Sequence, residues 1–261
     1  RFIFNNHELS DEELSELLEK VEKANDNQPI TFFEILTAAF FYKAAEYSDN
    51  ISLIETGLFH RFDATNILKE NLASVVTSIG LDHLDWLPEN EQTVEKIIYE
   101  KTFSLLNSNI IVAKQSSNKI SDQIRKTISN NMSQKLFFNE DYNYAFGENN
   151  FFYYEDKIGE MKLPIPNING QFQLENVSTA IAVLRSIKQL EIKEEHIKLG
   201  ITKIHSIARL QEINKGKLKN LVKNNRLIVD GSHNPLGAKV LNEYLESLNC
   251  NKHIILGMMA N

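Results

Sequence analysis

The sequence predicts an α/β fold, mostly a parallel sheet flanked by helices, and three patterns favour this class. Between residues 10 and 132, apolar residues at helical spacing alternate with short β-branched runs. A tract rich in Phe and Tyr, residues 136–163, carries Asn, Gly and Asp at its turns and predicts a small antiparallel β section. A second strand–helix–strand pattern then closes the sequence.

Each element before that tract has its own local signal. Ser10 and Glu13 have the spacing of a capping box, and apolar residues follow at helical intervals up to Val21, which predicts the first helix. A more apolar second helix is expected over 31–47. Further helices are predicted at 92–106 and 122–132, and β-branched strands at 51–55, 73–79 and 109–113.

The elements after the antiparallel tract predict a second unit. Beyond the turn-rich residues 164–170, helices are predicted at 175–190 and 193–203. The second unit consists of a strand at 227–230, a helix at 235–248 that opens with Pro, and a strand at 253–256. We interpret the basic segment 215–226 as a solvated connection between domains, with an anion-binding patch as the alternative.

Composition restricts the class of protein. With 261 residues, 42% of them hydrophobic and 24% charged, the chain has the proportions of one large or two modest globular domains. A net charge of −7 argues against a nucleic-acid partner. The apolar stretch 30–42 is too short to cross a membrane, and no secretory signal is visible. With a single cysteine, Cys250, these features predict a soluble cytoplasmic protein without a membrane partner.

Two predicted strand ends carry side chains suited to ligands. Glu55 closes one strand, and His83 follows the next within Gly80-Leu81-Asp82-His83. Because ligands gather at the carboxyl ends of parallel strands, these residues could meet a cation or a phosphate, although helix capping is the ordinary alternative. Asp230 likewise closes a strand, and residues 231–235 lead into a helix whose N-terminus can receive an anion.

Taken together, the motifs resemble the folylpolyglutamate synthase/dihydrofolate synthase family of the Mur ligase superfamily. The similarity extends over almost the whole chain and keeps the family's motif order. The matching segments are 31–34, 55–58, 61–66, 78–83, 100–101, 170–176, 208–211, 230–235 and 256–260.

The resemblance implies a Mur-ligase-type central domain over 1–206 and a partial Rossmann-like C-terminal domain over 207–261. It also implies an ATP-dependent ligase that adds L-glutamate to dihydropteroate, tetrahydrofolate or both through an acyl phosphate. Mg²⁺ is the expected cofactor, ATP the co-substrate, and a monomer the expected state. By the family pattern Glu55 and His83 serve the metal, and Lys101, otherwise an ordinary surface lysine, matches a catalytic lysine that is carbamylated.

The family pattern also assigns the two substrates to particular residues. Those that match ATP-binding positions are Asn176, Arg209, Asp230 and His233. Those that match the dihydropteroate or folate segments are Thr31, Phe32, Phe33, Glu34, Phe62, Asp63 and Ala64. For Phe32 and Phe33, packing in the core is an equal alternative to contact with a pterin.

The sequence departs from the family at several positions. The family's Gly-rich phosphate-binding loop precedes the region that matches residue 1, so we expect a fragment that is inactive alone. Phe59-His60 stands where a Gly pair is usual, and Ala208 stands for a Gly. A non-catalytic protein that binds a pterin or nucleotide, a ligase of the peptidoglycan type, and a partly folded remnant therefore stay as alternatives.

Overall fold

The computed structural model describes residues 2–257, which form two compact units. The first unit ends at Lys69 and the second begins at Glu70. The domain boundary predicted between residues 206 and 207 falls inside the second unit and stays a prediction.

The first unit begins with a short hairpin followed by two helices. β1 (Ile3–Phe4) pairs antiparallel with β2 (His7–Glu8), and α1 (Asp11–Ala24) and α2 (Phe32–Ala44) follow. Both predicted helices are confirmed. Each begins at a complete capping box, formed by Ser10 with Glu13 and by Thr31 with Glu34. Their contact buries a small apolar cluster made of Leu17, Val21 and Ala39.

Residues 51–55 were predicted to be a strand, and this prediction is wrong. Their backbone is irregular, and Leu53 leaves 95% of its surface exposed. A strand is stable only when a neighbour satisfies its backbone hydrogen bonds, and within residues 2–257 no segment forms a ladder with this one. The β-branched composition of residues 51–55 is therefore not sufficient to form a strand.

The second unit is built on a three-stranded parallel sheet in the order β3–β4–β5. The strands are β3 (Ala73–Val76), β4 (Asn109–Val112) and β5 (Lys135–Phe137). Helices α3 (Val94–Thr102) and α4 (Asn118–Thr127) lie in the connections. β3, β4 and both helices confirm the predicted alternation. The sequence places residues 136 and 137 in the antiparallel tract, because they run on into the aromatic residues that follow, but β5 pairs parallel with β4.

An antiparallel meander and a long helix complete the core of this unit. β6 (Tyr142–Phe146), β7 (Phe151–Asp156) and β8 (Gly159–Pro164) pair in sequence, as predicted, and α5 (Phe172–Ser186) follows them. Phe152, Tyr154 and Leu163 are fully buried here. The Arg185 guanidinium on α5 donates two hydrogen bonds, of 2.7 and 2.9 Å, to the Asp156 carboxylate on β7, which ties the helix to the meander.

The remaining elements are short and differ in part from the prediction. They are α6 (Glu194–Thr202), β9 (Gln211–Glu212), α7 (Lys217–Val222), β10 (Ile228–Val229) and α8 (Pro235–Ser247). The expected strand at 253–256 is wrong, since this segment is irregular, and β10 instead pairs antiparallel with β9. The basic segment 215–226 contains α7. Of the helices in the described part of the chain, none is long and apolar enough to cross a membrane.

We predict that Leu163→Ala lowers the free energy of unfolding by about 2–5 kcal/mol, because it removes a fully buried side chain from the core of the meander. Urea denaturation followed by circular dichroism measures the change. Leu218→Ala is the matched control, since Leu218 is 67% exposed and its truncation should change stability by less than about 0.5 kcal/mol. Equal effects of the two substitutions would contradict the described core.

Candidate functional site

The loop that follows β3 carries His83 and is held by the end of β4. The side-chain amide of Gln115, just beyond β4, accepts a hydrogen bond from the Ile79 amide at 2.9 Å and donates one to the Thr77 carbonyl at 3.2 Å. His83 adopts a left-handed backbone with φ 54°, a conformation that histidine tolerates better than most residues. Its amide donates to Asp82 Oδ1 at 3.0 Å. The loop therefore has a defined course from strand to turn.

The loop that follows β10 is organised by Asp230. This carboxylate accepts hydrogen bonds from the amides of Leu210 at 2.8 Å and Ser232 at 2.9 Å, and from the Ser232 hydroxyl. Burial by itself would raise the pKa of Asp230, but these hydrogen bonds and the positive charge of Arg209 outweigh it and hold the pKa below its ordinary value. The Gly231 amide donates to the Ala208 carbonyl at 2.8 Å, so Arg209 is kept beside this loop.

The two loops meet. The side-chain amide of Asn234 donates to Asp82 Oδ2 at 2.8 Å, and its oxygen accepts from the Gly237 amide at 2.8 Å at the start of α8. His83 and His233 are the chain neighbours of the two bonded residues. The structure thus brings together three of the predicted segments, those around His83, Arg209 and Asp230.

Arg209 also lines a cleft of about 710 Å³ beside the N-terminus of α5. Its lining also includes Gly170, Gln171, His205 and Tyr244. Asn169 lies at the cleft too, and its side-chain amide donates to the Leu210 carbonyl at 2.8 Å. The cleft combines a guanidinium, an imidazole and aromatic surface, which suits an anionic ligand with a flat group.

Two further predicted residues lie on helices of the same unit. Asn176 is exposed on α5 and donates to Gln173 on the same helix at 3.1 Å. Lys101 is half-buried in the last turn of α3, where the helix dipole stabilises a positive charge. The ATP role of Asn176 and the carbamylation of Lys101 stay predictions.

In the first unit, Thr31 and Glu34 form a capping box with each other. Glu34 accepts hydrogen bonds from the Thr31 hydroxyl at 2.6 Å and the Thr31 amide at 2.8 Å, and both bonds lower the pKa of its carboxyl. These two side chains begin α2. Their contact with a substrate stays a prediction.

The predicted aromatic residues of this unit lie on its surface. Phe32 is 77% exposed and Phe62 is 82% exposed, so packing in the core is excluded for Phe32. The Phe33 ring packs over Gly57, where an added Cβ would lie 2.6 Å from the ring. The Arg61 guanidinium lies 4.0 Å from the centre of the Phe62 ring. The faces left exposed suit a flat heterocycle.

Asp63 shapes the loop that joins these residues. Asp63 Oδ2 accepts from the amides of Gly57 and Leu58, and its Oδ1 accepts from the amide and hydroxyl of Thr65. Ala64 between them is half-buried. The role that these contacts assign to Asp63 is to hold the loop, while substrate contact by Asp63 and Ala64 stays a prediction.

The two residues predicted to serve the metal differ as donors, because a carboxylate oxygen suits a hard divalent cation and an imidazole nitrogen is a softer ligand. Glu55 presents an exposed carboxylate in the first unit, and His83 presents an imidazole in the second. No cluster of three or more acidic, His or Cys side chains suited to a metal occurs in residues 2–257. Mg²⁺ usually keeps several waters and takes further ligands from substrate phosphates, so such a cation needs few protein ligands. The metal role of Glu55 and His83 stays a prediction.

At two positions where the sequence departs from the family pattern, the backbone has a positive φ. Phe59 has φ 54° and Ala208 has φ 53°, the left-handed region in which glycine is favoured. Both residues stand where the family usually has Gly. The loops therefore have the backbone form that a glycine would allow, although their side chains differ.

Sequence reasoning missed the residues that hold these loops in place. The sequence indicates Asp82 only as a neighbour of His83, and Asn234 only as part of a loop. The one available signal for Asn234 was its position before Pro235, which is typical of a helix N-cap. Gln115 carries no sequence signal. Of the last matched motif, Met258, Met259 and Ala260 lie outside the described residues.

Comparison with known proteins confirms the predicted resemblance. No family model matches the chain. It is 28% identical over 250 residues to the dihydrofolate synthase/folylpolyglutamate synthase of Escherichia coli strain K12, which covers 92% of this chain and 53% of that protein. The chain spans about half the length of the curated relatives it matches.

Solved structures confirm the α/β fold class of the Mur-ligase type. The E. coli FolC in complex with DHPP and ADP superposes with a TM-score of 0.79 at 27% identity, over 95% of this chain and 55% of that one. A bifunctional folylpolyglutamate synthase/dihydrofolate synthase from Yersinia pestis, complexed with AMPPNP and an Mn ion, superposes with a TM-score of 0.78 at 26% identity. The match covers 92% of this chain and 54% of that one.

We predict that Ala208→Gly raises the free energy of unfolding by about 1 kcal/mol, because glycine adopts the left-handed backbone without the cost that Ala bears there. Urea denaturation measures the change. Ala238→Gly in α8 is the control with opposite sign and should lose about 0.5–1 kcal/mol. A lower free energy of unfolding in both variants would show that the Ala208 backbone is not left-handed.

We further predict that Asp230→Asn destabilises the chain at pH 7 and by a smaller amount at about pH 3. Because the folded-state pKa lies below the unfolded value of about 3.9, the carboxylate stabilises the fold at neutral pH, and this contribution disappears as the pH falls through the folded-state pKa. Urea midpoints of wild type and variant at both pH values test it. Asp122→Asn, on the exposed side of α4, should leave the two midpoints equal at either pH.

Proposed function

We propose that the complete protein is an ATP-dependent ligase that adds L-glutamate to dihydropteroate, tetrahydrofolate or both. The observation that carries the proposal is that two separate motifs matched to ATP binding, one with Arg209 and one with Asp230 and His233, lie in loops bonded to one another. The similarity to relatives with this name over nearly the whole chain agrees with it.

Arg209 and Asp230 have complementary roles in the proposed nucleotide site. The exposed guanidinium of Arg209 offers a permanent positive fork to phosphate oxygens. Asp230 stays ionised at neutral pH, and a carboxylate has about four acceptor positions, of which three are taken by Leu210 and Ser232. One position is left for a hydroxyl of the ligand. Asn176 on α5 is the fourth residue proposed to contact the nucleotide.

Glu55 and His83 would hold the divalent cation, with phosphate oxygens and water completing its ligands. The cation supplies neutralisation of the charge that develops during phosphoryl transfer. Lys101 as a carbamate would offer an anionic oxygen in place of an ammonium. Mg²⁺ is the proposed metal.

The proposed chemistry has two steps. A carboxylate of the pteroate or folate attacks the γ-phosphorus of ATP, ADP departs, and an acyl phosphate forms. The amine of L-glutamate then attacks the acyl carbon, a proton is lost from nitrogen, and phosphate leaves as the amide forms. Exposed Phe32 and Phe62 would pack against the pterin, and Thr31, Phe33, Glu34, Asp63 and Ala64 would shape that side.

The proposed domain division follows the family, with a central domain over 1–206 and the start of a C-terminal domain over 207–261. ATP would lie between them, and closure would keep water from the acyl phosphate. We also propose a cytoplasmic monomer.

A protein that binds without catalysis is the second candidate, and Phe59 is the observation that favours it. Its side chain occupies a loop position where the family has the smallest residue, while its backbone is left-handed. Such a protein would bind a pterin without releasing ADP.

The test is incorporation of labelled L-glutamate by the natural full-length chain with Mg-ATP and either dihydropteroate or tetrahydrofolate. We predict that Glu55→Gln lowers the rate on the order of 100-fold, because a charged metal ligand becomes neutral. Glu19→Gln, exposed on α1, is the matched control and should retain the wild-type rate.

Two results would count against the ligase proposal or its metal assignment. Pterin binding by the full-length wild type without glutamate incorporation or ADP release favours the binding protein. Full activity of Glu55→Gln would remove Glu55 from the metal site while leaving the ligase intact.

A further inference from the structure

We propose that Asp82 and Asn234 are positioning residues, a clasp that fixes His83 relative to the loop 230–234. The inference rests on the proposed function, in which His83 serves the cation and the loop receives the phosphates. Neither Asp82 nor Asn234 is assigned to a ligand. Their effect would pass through the two histidines that follow or precede them in the chain.

The clasp is a short chain of hydrogen bonds between segments 152 residues apart. Asn234 Nδ2 donates to Asp82 Oδ2 at 2.8 Å, and Asp82 Oδ1 accepts from the His83 amide at 3.0 Å. Asp82 Oδ2 also lies 3.8 Å from His83 Nε2. One carboxylate therefore faces the backbone of His83, its ring and the partner loop.

Asn234 is chemically suited to a double role. Its oxygen accepts from the Gly237 amide and caps α8, while its nitrogen is free to donate to Asp82. Asp at this position would cap the helix equally well but could not donate. This difference separates the clasp from the cap, and it can be tested.

Other contacts support the clasp without replacing it. Gln115, three residues beyond the end of β4, fixes the start of the His83 loop through the Ile79 amide. Near the clasp, Gly80 lies beside Leu236 of α8, where an added Cβ would make an ordinary van der Waals contact at 3.4 Å. The end of the loop thus depends on contacts from residues 234 and 236. A displacement on the order of 1 Å at a reacting centre can cost about 100-fold in rate.

The experiment exchanges the two side chains. Asn234→Asp keeps the helix cap and places two carboxylates opposite each other. Asp82→Asn combined with Asn234→Asp restores the hydrogen bond with its direction reversed, because the new amide at 82 can donate to the new carboxylate at 234. Asn242→Asp is the matched control, since Asn242 on the same helix also donates to a carboxylate, that of Glu246, at 2.8 Å.

The first measurement is amide hydrogen exchange of residues 78–86 in the metal-free 261-residue chain. Asn234→Asp should speed exchange there about tenfold, since the loop loses a hydrogen bond to a charged group and two carboxylates then repel each other. The double variant should return to within about threefold of wild type, and Asn242→Asp should match wild type. Unchanged exchange in Asn234→Asp, or no recovery in the double variant, overturns the clasp.

The second measurement is Mn²⁺ binding to the full-length chain with a non-hydrolysable ATP analogue. Asn234→Asp should weaken binding on the order of tenfold, and the double variant should recover it. Wild-type binding that Asn234→Asp leaves unchanged overturns the link between the clasp and the cation site. Absence of Mn²⁺ binding by the wild type counts against the proposed function, while hydrogen exchange still decides the clasp.

Discussion

Parallel pairing of β3 with β4 is the constraint on which the site of the second unit depends. Two parallel strands end at the same edge of a sheet, so the loops after Val76 and Val112 must begin side by side. The Ala113 amide extends the pairing to the Val76 carbonyl at 2.8 Å, and Gln115 extends it through its side chain. The loop of His83 leaves the sheet already fixed at its base.

The other half of the site comes from much later in the chain. β10 and β9 form a two-residue ladder that holds Asp230 beside Leu210. Asp230 then acts as a hub for amide donors, much as Asp63 does in the first unit. In both loops a carboxylate satisfies backbone amides that no sheet or helix can satisfy, which makes an irregular loop compatible with a defined geometry.

Local signals in the sequence predict much of this fold. The capping boxes at Thr31 and Ser10 set the helix starts, and β-branched runs identify β3 and β4. The failures have a physical cause in common. The segment 51–55 has strand composition but no ladder within residues 2–257, and the contact of Asp82 with Asn234 joins residues far apart in sequence. Pairing between distant segments is a property of the fold, which local composition does not encode.

The cleft beside Arg209 contains an asparagine, Asn169, that can deamidate with time. Asn169 precedes Gly170, which has a φ of 98° and no side chain. Without a side chain to hinder it, the backbone nitrogen of Gly170 can attack the side-chain carbonyl carbon of Asn169. Asparagine is among the thermolabile residues for this reason. Loss of ammonia would form a cyclic imide, and its hydrolysis by water would leave a carboxylate, which repels the Leu210 carbonyl, in place of the amide that donates to it. The cleft edge would then age with the protein, without any change in the gene.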